Sequence, residues 1–294
     1  MANLAAIKKR IKTTKNTQQI TKAMKMVAAA KLRGAEERLR AARPYATMLD
    51  EVITDLYNHT ELSGYELIEG REEVKRREFL VITSDRGLCG GFNSSIVRHV
   101  EREILARAHD EFDEQLSFVG RKGHDILKRR DVDIVEKRVW INLLKEFDLD
   151  LAIQVGNSLI KAFQDGEFDE LYVISNHFVS AISQEIVTRR LIPVEVPKLE
   201  PGQVREDLVD YVYEPGREEI LKSLLPLQVH YQLYRAFLES FAAEMGARMS
   251  AMDAASKNAG EMIDRLTLQY NRSRQAAITV ELMEIINGAE ALKG

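Results

Sequence analysis

Apolar residues return every three or four positions along both ends of this chain and every other position, or in short runs, through its middle. From about residue 221 to residue 292 the stripe reads Leu224, Leu227, Tyr231, Tyr234, Leu238, Phe241, Met245, Met249, Met252, Met262 and Leu266, then Ile278, Leu282, Ile285, Ala289 and Leu292. No proline follows Pro226. This spacing predicts one uninterrupted helix, roughly 110 Å long at about 1.5 Å per residue. A helix of that length cannot bury its stripe inside an ordinary domain and calls for a helical partner beside it.

The first 57 or so residues supply that partner. Leu4, Ile7 and Ile11 open a stripe, and after a polar interval Ile20, Met24, Val27, Leu32, Leu39, Leu49, Ile53 and Leu56 continue it. Pro44 either kinks this helix or marks a joint. The two ends are expected to pair antiparallel, with Ala28, Ala29 and Ala30 facing Ala254, Ala255 and Ala259 at close approach. Because the apolar phase slips near Thr21, irregular packing is expected rather than a strict heptad. With Tyr57 opposite Leu221, Asn3 falls opposite Gln275, so residues 276–292 project beyond the partner. Their apolar face (Ile278, Leu282, Ile285, Ala289, Leu292) is a partner-binding surface, unless it folds back on the middle of the chain or forms a homodimer.

Between the two long helices the period changes. Residues 79–83 form a short apolar run ending in Ser84-Asp-Arg-Gly87, which reads as a buried strand and turn. Helix is expected over 93–108 and 149–163, and strands over 115–119, 132–139, 170–175 and 185–191, the last pair as a hairpin through Ser180–Ser183. Strands alternating with helices imply a mainly parallel α/β sheet. The expected organisation is an N-terminal coiled-coil helix (1–58), a connector (59–77), a Rossmann-like α/β domain (78–197), a connecting loop (198–214) and a C-terminal coiled-coil helix with a protruding tip (215–294). The fold class is α/β with a long antiparallel coiled coil of the terminal helices.

Composition narrows the classes. The chain has 294 residues, 45% apolar and 30% charged, with no apolar run long enough to span a membrane. One cysteine, Cys89, excludes an intrachain disulfide framework and suits a reducing compartment. Net charge is −4, yet residues 1–34 hold nine Lys or Arg and no acid. That distribution opposes the helix dipole, so the basic face is there for a partner: nucleic acid, an acidic protein surface or anionic lipid, with a solvated face as the plain alternative.

Chemistry is sparse. The glycine-rich segment Asp85–Asn93 follows a strand and precedes a helix, where α/β domains cradle phosphates. Its spacing fits neither dinucleotide nor P-loop fingerprints, and a tight turn or a protein contact suits it better. Cys89 has no histidine near it in sequence and reads as a packed small side chain. Gly120–Gly123 with its basic pair reads as a solvated turn. The six histidines lack metal spacing and no nucleophile elbow is present, so no metal, cofactor or catalytic residue is assigned.

Three segments resemble the gamma subunit of F-type ATP synthases, in order and across the whole length: ITKAMKMVAAAKL at 20–32, SDRGLCGGFN at 84–93, and YNRSRQAAITVELMEIINGA at 270–289. The resemblance implies a rotor shaft turning inside a ring of alpha and beta subunits, standing on the c-subunit ring beside epsilon, with ATP chemistry on beta. It further implies beta contacts at Met24, Lys25, Arg274 and Gln275, and c-ring contacts at Tyr211, Tyr213 and Glu214. The apolar tip (Ile278, Leu282, Ile285, Ala289, Leu292) would sit in the sleeve of the catalytic ring. Without a paired-cysteine insert, the thiol switch of chloroplast relatives is not expected; a bacterial protein, peripheral on the cytoplasmic side of the cell membrane and touching it only indirectly, is. Two rivals remain: a coiled-coil protein gripping nucleic acid through its basic helix, and a small α/β enzyme using the Gly87–Gly91 turn.

Overall fold

The computed structural model describes residues 2–58, 65–105, 112–130, 135–145, 148–181, 183–196, 213–214 and 216–291. Two helices dominate it, α1 (Ala2–Asn58) and the C-terminal α6 (Arg217–Ala291). Both continue through a proline, Pro44 in α1 and Pro226 in α6, so neither residue ends its helix. The chain divides into two compact units, one of residues 30–247 and one joining 1–29 to 248–294.

The larger unit is built on a five-stranded sheet in the order β3-β2-β1-β4-β5. Its strands are β1 (Arg76–Ile82), β2 (Asp113–Val119), β3 (Val135–Trp140), β4 (Glu170–Phe178) and β5 (Gln184–Ile192). The first four run parallel, and β5 returns antiparallel to β4, as the hairpin at Ser180–Ser183 leads one to expect. Helices α2 (Glu66–Glu69), α3 (Phe92–Leu105), α4 (Arg121–Lys128) and α5 (Leu149–Gln164) complete it. Asp148 starts α5 by accepting a bond from the Leu151 amide at 3.0 Å.

Strand β1 is the centre of the core because both its faces are covered. Leu80 and Ile82 pack with α5 and α6 (Leu159, Phe163, Leu233, Phe237), whereas Phe79 and Val81 pack with α3 (Phe92, Ile96, Val100). That arrangement explains the continuous apolar run in a parallel sheet. Two features differ from expectation. β1 begins at Arg76, because Glu78 is fully buried but paired: Ser117 Oγ donates to it at 2.5 Å and Arg138 Nη1 at 3.0 Å. The supposed turn at Gly120–Gly123 is the start of α4.

In the same unit α1 and α6 pack through Leu49, Ile53 and Leu56 against Leu221, Leu225 and Tyr231. Gln228 donates to Asp50, and the Tyr231 hydroxyl to the Ala42 carbonyl.

In the smaller unit the same two helices run antiparallel. Lys25 Nζ meets Asp253 at 2.7 Å, Gln18 Nε2 donates to the Ser256 carbonyl at 3.3 Å, and Thr14 Oγ1 lies 4.0 Å from Met262 Sδ. The covered positions of α1 here include Leu4, Ile7, Ile11, Thr14, Gln18, Thr21, Lys25 and Ala28, spaced three and four residues apart, with Met24 and Ala29 half-buried beside them. On α6 Met249, Met252, Ser256, Ala259, Ile263, Leu266, Tyr270, Ser273 and Ala277 keep the same spacing, flanked by half-buried Arg248, Ala251, Asp253, Ala255 and Gly260. The expected slip at Thr21 is therefore absent. The backbone keeps a regular heptad, and polar residues occupy its seam. Ile20, Val27 and Met262, expected in the stripe, are exposed by 60%, 58% and 50%. Of the alanines expected at close approach, Ala28 and Ala259 are buried, and Ala30 and Ala254 are exposed.

Candidate functional site

Three regions compete as the functional site, beginning with the glycine-rich turn after β1. Its polar groups are consumed internally. Asn93 Oδ1 accepts from the Ser84 amide at 3.0 Å, Asn93 Nδ2 approaches Cys89 Sγ at 3.2 Å, and Ser84 Oγ donates to the Arg86 carbonyl at 2.7 Å. The Asp85 carboxylate accepts from the amides of Arg121 and Asn142 at 3.1 and 3.0 Å. The first amide of α4 is thus already occupied by an anion of the protein itself, and a phosphate there would meet a carboxylate. Gly120 makes the fit possible: at φ +92°, a Cβ on it would stand 2.0 Å from the Thr83 carbonyl oxygen. Cys89 is buried, as expected of a packed thiol. This region is a structural knot rather than a nucleotide cradle.

A second region is a cleft of about 570 Å³ between the β4–β5 hairpin and the helices, lined in part by Arg189, Arg190 and Arg235. The guanidinium groups face carboxylates: Arg190 meets Glu170 at 3.7 Å and Glu195 at 3.0 Å, and Arg189 and Arg235 meet Glu239 at 3.5 and 2.8 Å. The cleft is therefore not an electropositive site. Among the described residues no cluster of His, Cys, Asp or Glu could hold a metal ion, and no helix is long and apolar enough to cross a membrane.

The third region is the end of α6. Among the described residues none stands opposite the seam past Ala277, and every residue from Ile278 to Ala289 is exposed. Ile278, Val280, Leu282, Met283, Ile285 and Ile286 stand 48–68% exposed on consecutive turns. Ala289 is exposed as well, and Leu292 lies outside the described residues. An apolar surface of this kind is stable only with something covering it, since burying one such side chain is worth about 1.5–3 kcal/mol. Ile278, Leu282, Ile285 and Ala289 lie on the stripe that the spacing predicts; Val280, Met283 and Ile286 fall outside it, because the helix here is apolar on more than one face.

The remaining singled-out residues fall at two places. In the smaller unit Met24 is half-buried and Arg274 and Gln275 are exposed. Lys25 is half-exposed but paired: with Lys257 it hydrogen-bonds Asp253 and holds that carboxyl below its ordinary range. In the larger unit the Tyr213 hydroxyl donates to Asp55 Oδ2 at 2.7 Å, and its ring lies under the Arg217 guanidinium. Glu214 is exposed, and Tyr211 lies outside the described residues.

Comparison with known proteins gives one answer throughout. The family model described as ATP synthase matches residues 3–292. The ATP synthase gamma chain of Geobacter metallireducens is 48% identical over 294 residues, and that of Desulfitobacterium hafniense 45% over 293 residues, each covering 100% of both chains. Among solved structures, a chain from the central stalk and c-ring of the Tetrahymena thermophila mitochondrial ATP synthase matches with a TM-score of 0.59 and 29% identity, over 81% of this chain and 99% of that one. One from the Euglena gracilis mitochondrial enzyme, in a structure of OSCP, F1 and c-ring, has a TM-score of 0.70 at 19% identity, over 99% of this chain and 95% of that one, a likeness of fold. With the family model matching residues 3–292 and these relatives matching over their full length, the chain belongs to the ATP synthase gamma chain family.

Proposed function

We propose that this chain is the non-catalytic shaft of a rotary ATP synthase, turned by ion flow at the membrane and driving conformational change in the beta subunits. The observation that carries the reading is the end of α6, where a regular seam stops at Ala277 and an exposed apolar helix continues through Ala289. In a rotor that end is the bearing, held in a sleeve formed by the alpha and beta subunits. The coiled-coil segments 1–58 and 215–294 then form the shaft. The α/β domain (78–197) and the lower coil stand on the c ring beside epsilon, on the cytoplasmic face of the cell membrane. Met24, Lys25, Arg274 and Gln275 are the residues assigned to beta, and Tyr211, Tyr213 and Glu214 those assigned to the c ring. Lys25 approaches beta already tethered to Asp253, which fixes where its charge is presented.

Binding of nucleic acid by the basic helix gains no support from the relatives, which carry the gamma chain name. An enzyme using the turn at Gly87–Gly91 is disfavoured by the turn's own hydrogen bonds, in which Ser84 and Asn93 are already engaged with each other, with the Arg86 carbonyl and with Cys89.

Co-expression with alpha and beta subunits tests the proposal. The full chain should be recovered with both and should support ATP hydrolysis, whereas a chain ending at Ala277 should assemble poorly and keep the melting transition of its α/β domain. Recovery of the shortened chain at full yield and full activity would refute the bearing role.

A further inference from the structure

Torque can pass between the α/β domain and α6 only through contacts that resist sliding and twisting. Much of that interface is apolar: Val229, Leu233 and Phe237 of α6 enter the core on one side of the sheet, and Ala243 the core on the other. Apolar contact is non-directional, so it opposes separation better than slippage. Hydrogen bonds to charged groups are directional and stronger.

Such bonds gather at one residue. Glu239 of α6 is buried, 4% exposed, and its carboxylate is shared between three elements. Oε2 lies 2.8 Å from His177 Nδ1 of β4 and 3.5 Å from Arg189 Nη1 of β5, and Oε1 accepts from Arg235 Nε of α6 itself at 2.8 Å. Burial pushes the carboxyl up, but the bonds from His177 and Arg235 outweigh it and hold it below the ordinary carboxylate range. The side chain is thus an anion gripped from the sheet. Neighbouring contacts fix the same stretch of helix: Gln184 Nε2 donates to the Ala243 carbonyl at 2.7 Å, and His230 Nε2 lies 2.9 Å from Asn157 Oδ1 of α5. Gly246 allows close approach, since a Cβ there would stand 2.9 Å from the Ala181 carbonyl oxygen.

We propose that Glu239 is the key through which the α/β domain turns the C-terminal helix, with His177 and Arg189 as its slot. The inference rests on the rotor reading given above. Glu239 is a positioning residue: it touches no substrate, and its task is to keep the domain and α6 in fixed rotational phase under load. Arg235 supports it from the same helix and does not cross to the sheet, so it stiffens the key without being part of the slot.

The test uses the whole complex carrying the full chain, with Glu239→Gln, the pair His177→Gln and Arg189→Gln, and Arg235→Gln. Three quantities are read: ATP hydrolysis without load, ATP synthesis driven by an imposed ion gradient, and the melting temperature. The first two variants should hydrolyse ATP within about twofold of the parent and lose driven synthesis by about fivefold or more, the equivalent of about 1 kcal/mol, as expected when a directional contact is removed. Arg235→Gln should keep both activities. Should Glu239→Gln fail to assemble, the double variant reads the same contact from the sheet side. Driven synthesis at the parent level in the first two variants overturns the proposal. So does a loss that tracks melting temperature equally in all three, which is the mark of a merely structural role. Failure of the unaltered chain to assemble with alpha and beta subunits would instead remove the rotor reading beneath it.

Discussion

Replacing the polar residues of the seam should tighten the helix pair, and the size of the effect can be worked from its contacts. Thr14, Gln18 and Thr21 occupy consecutive seam positions of α1. The Thr14 and Thr21 hydroxyls bond back to carbonyls of their own helix, Arg10 at 2.9 Å and Gln18 at 3.0 Å. Those bonds survive when the helices part, so they contribute little to pairing. Valine keeps the branched shape and substitutes a methyl for the hydroxyl, a gain of about 0.8 kcal/mol per buried carbon plus part of the hydroxyl's desolvation cost. Gln18 loses a long bond to the Ser256 carbonyl, and space for leucine exists because Gly260 stands opposite. Discounting for the partial exposure of positions 14 and 18, the triple variant Thr14→Val, Gln18→Leu and Thr21→Val should stabilise the pair by about 2 kcal/mol. Amide hydrogen exchange across residues 14–25 and 252–263 is the direct assay, and protection there should rise about thirtyfold. The Lys25–Asp253 pair is untouched, so the register is held during the comparison. Unchanged or lower protection would mean that these positions do not form the seam, and the heptad assigned to the smaller unit would fall.

Two further outcomes are expected in the larger unit. His230 has its pKa lowered by burial, so its neutral form favours the folded state, and the stability it contributes is fully present above about pH 6.5 and is lost on acidification below that value; denaturant titrations between pH 7 and 5 should show a fall that His230→Gln flattens. Gly120→Ala should destabilise the α/β domain by about 3 kcal/mol or more, combining a positive φ with a Cβ placed 2.0 Å from the Thr83 carbonyl oxygen, and calorimetry would register it as a lowered melting temperature.

Much of this fold was legible from residue type because type and environment agree. The buried strands at 79–82 and 116–119, the hairpin at 180–183 and the two long helices follow from apolar period and turn residues alone. The α1 seam between Leu32 and Leu56 is apolar at Leu32, Ala35, Leu39, Ala42, Ala46, Leu49, Ile53 and Leu56 and could be read directly. It was illegible between Thr14 and Lys25, where polar residues hold the covered positions and the exposed Ile20 and Val27 draw the eye to the wrong face. Helix α4 escaped notice because its eight residues bury only Gly123 and Leu127. Of the candidate site, the apolar end of α6 was visible as an excess of helix over partner. The Glu239 cluster was not, since His177 lies 62 positions away and only the fold brings the two together.

The polar residues in the smaller unit's seam have a consequence for the exposed end. An antiparallel pair held by apolar side chains alone tolerates slippage by a whole heptad, since each residue finds an equivalent partner seven positions on. Such a slip would move about 10 Å of α6 into or out of the paired region, at about 1.5 Å per residue. The length of the uncovered helix, and with it the reach of any bearing, would no longer be fixed. The Lys25–Asp253 contact at 2.7 Å and the Gln18–Ser256 bond at 3.3 Å penalise that slip, because a shifted register separates the charges and strands the amide among methionines and alanines. Polar residues weaken the pairing where they sit, yet they specify a single alignment of the helices, whereas the seam from Leu32 to Leu56 adds apolar adhesion to its own polar bonds, Gln228 to Asp50 and Tyr231 to the Ala42 carbonyl. Setting how far a helix projects requires a register more than it requires strength, and the unit that carries the projecting end holds its register through the Lys25–Asp253 and Gln18–Ser256 contacts.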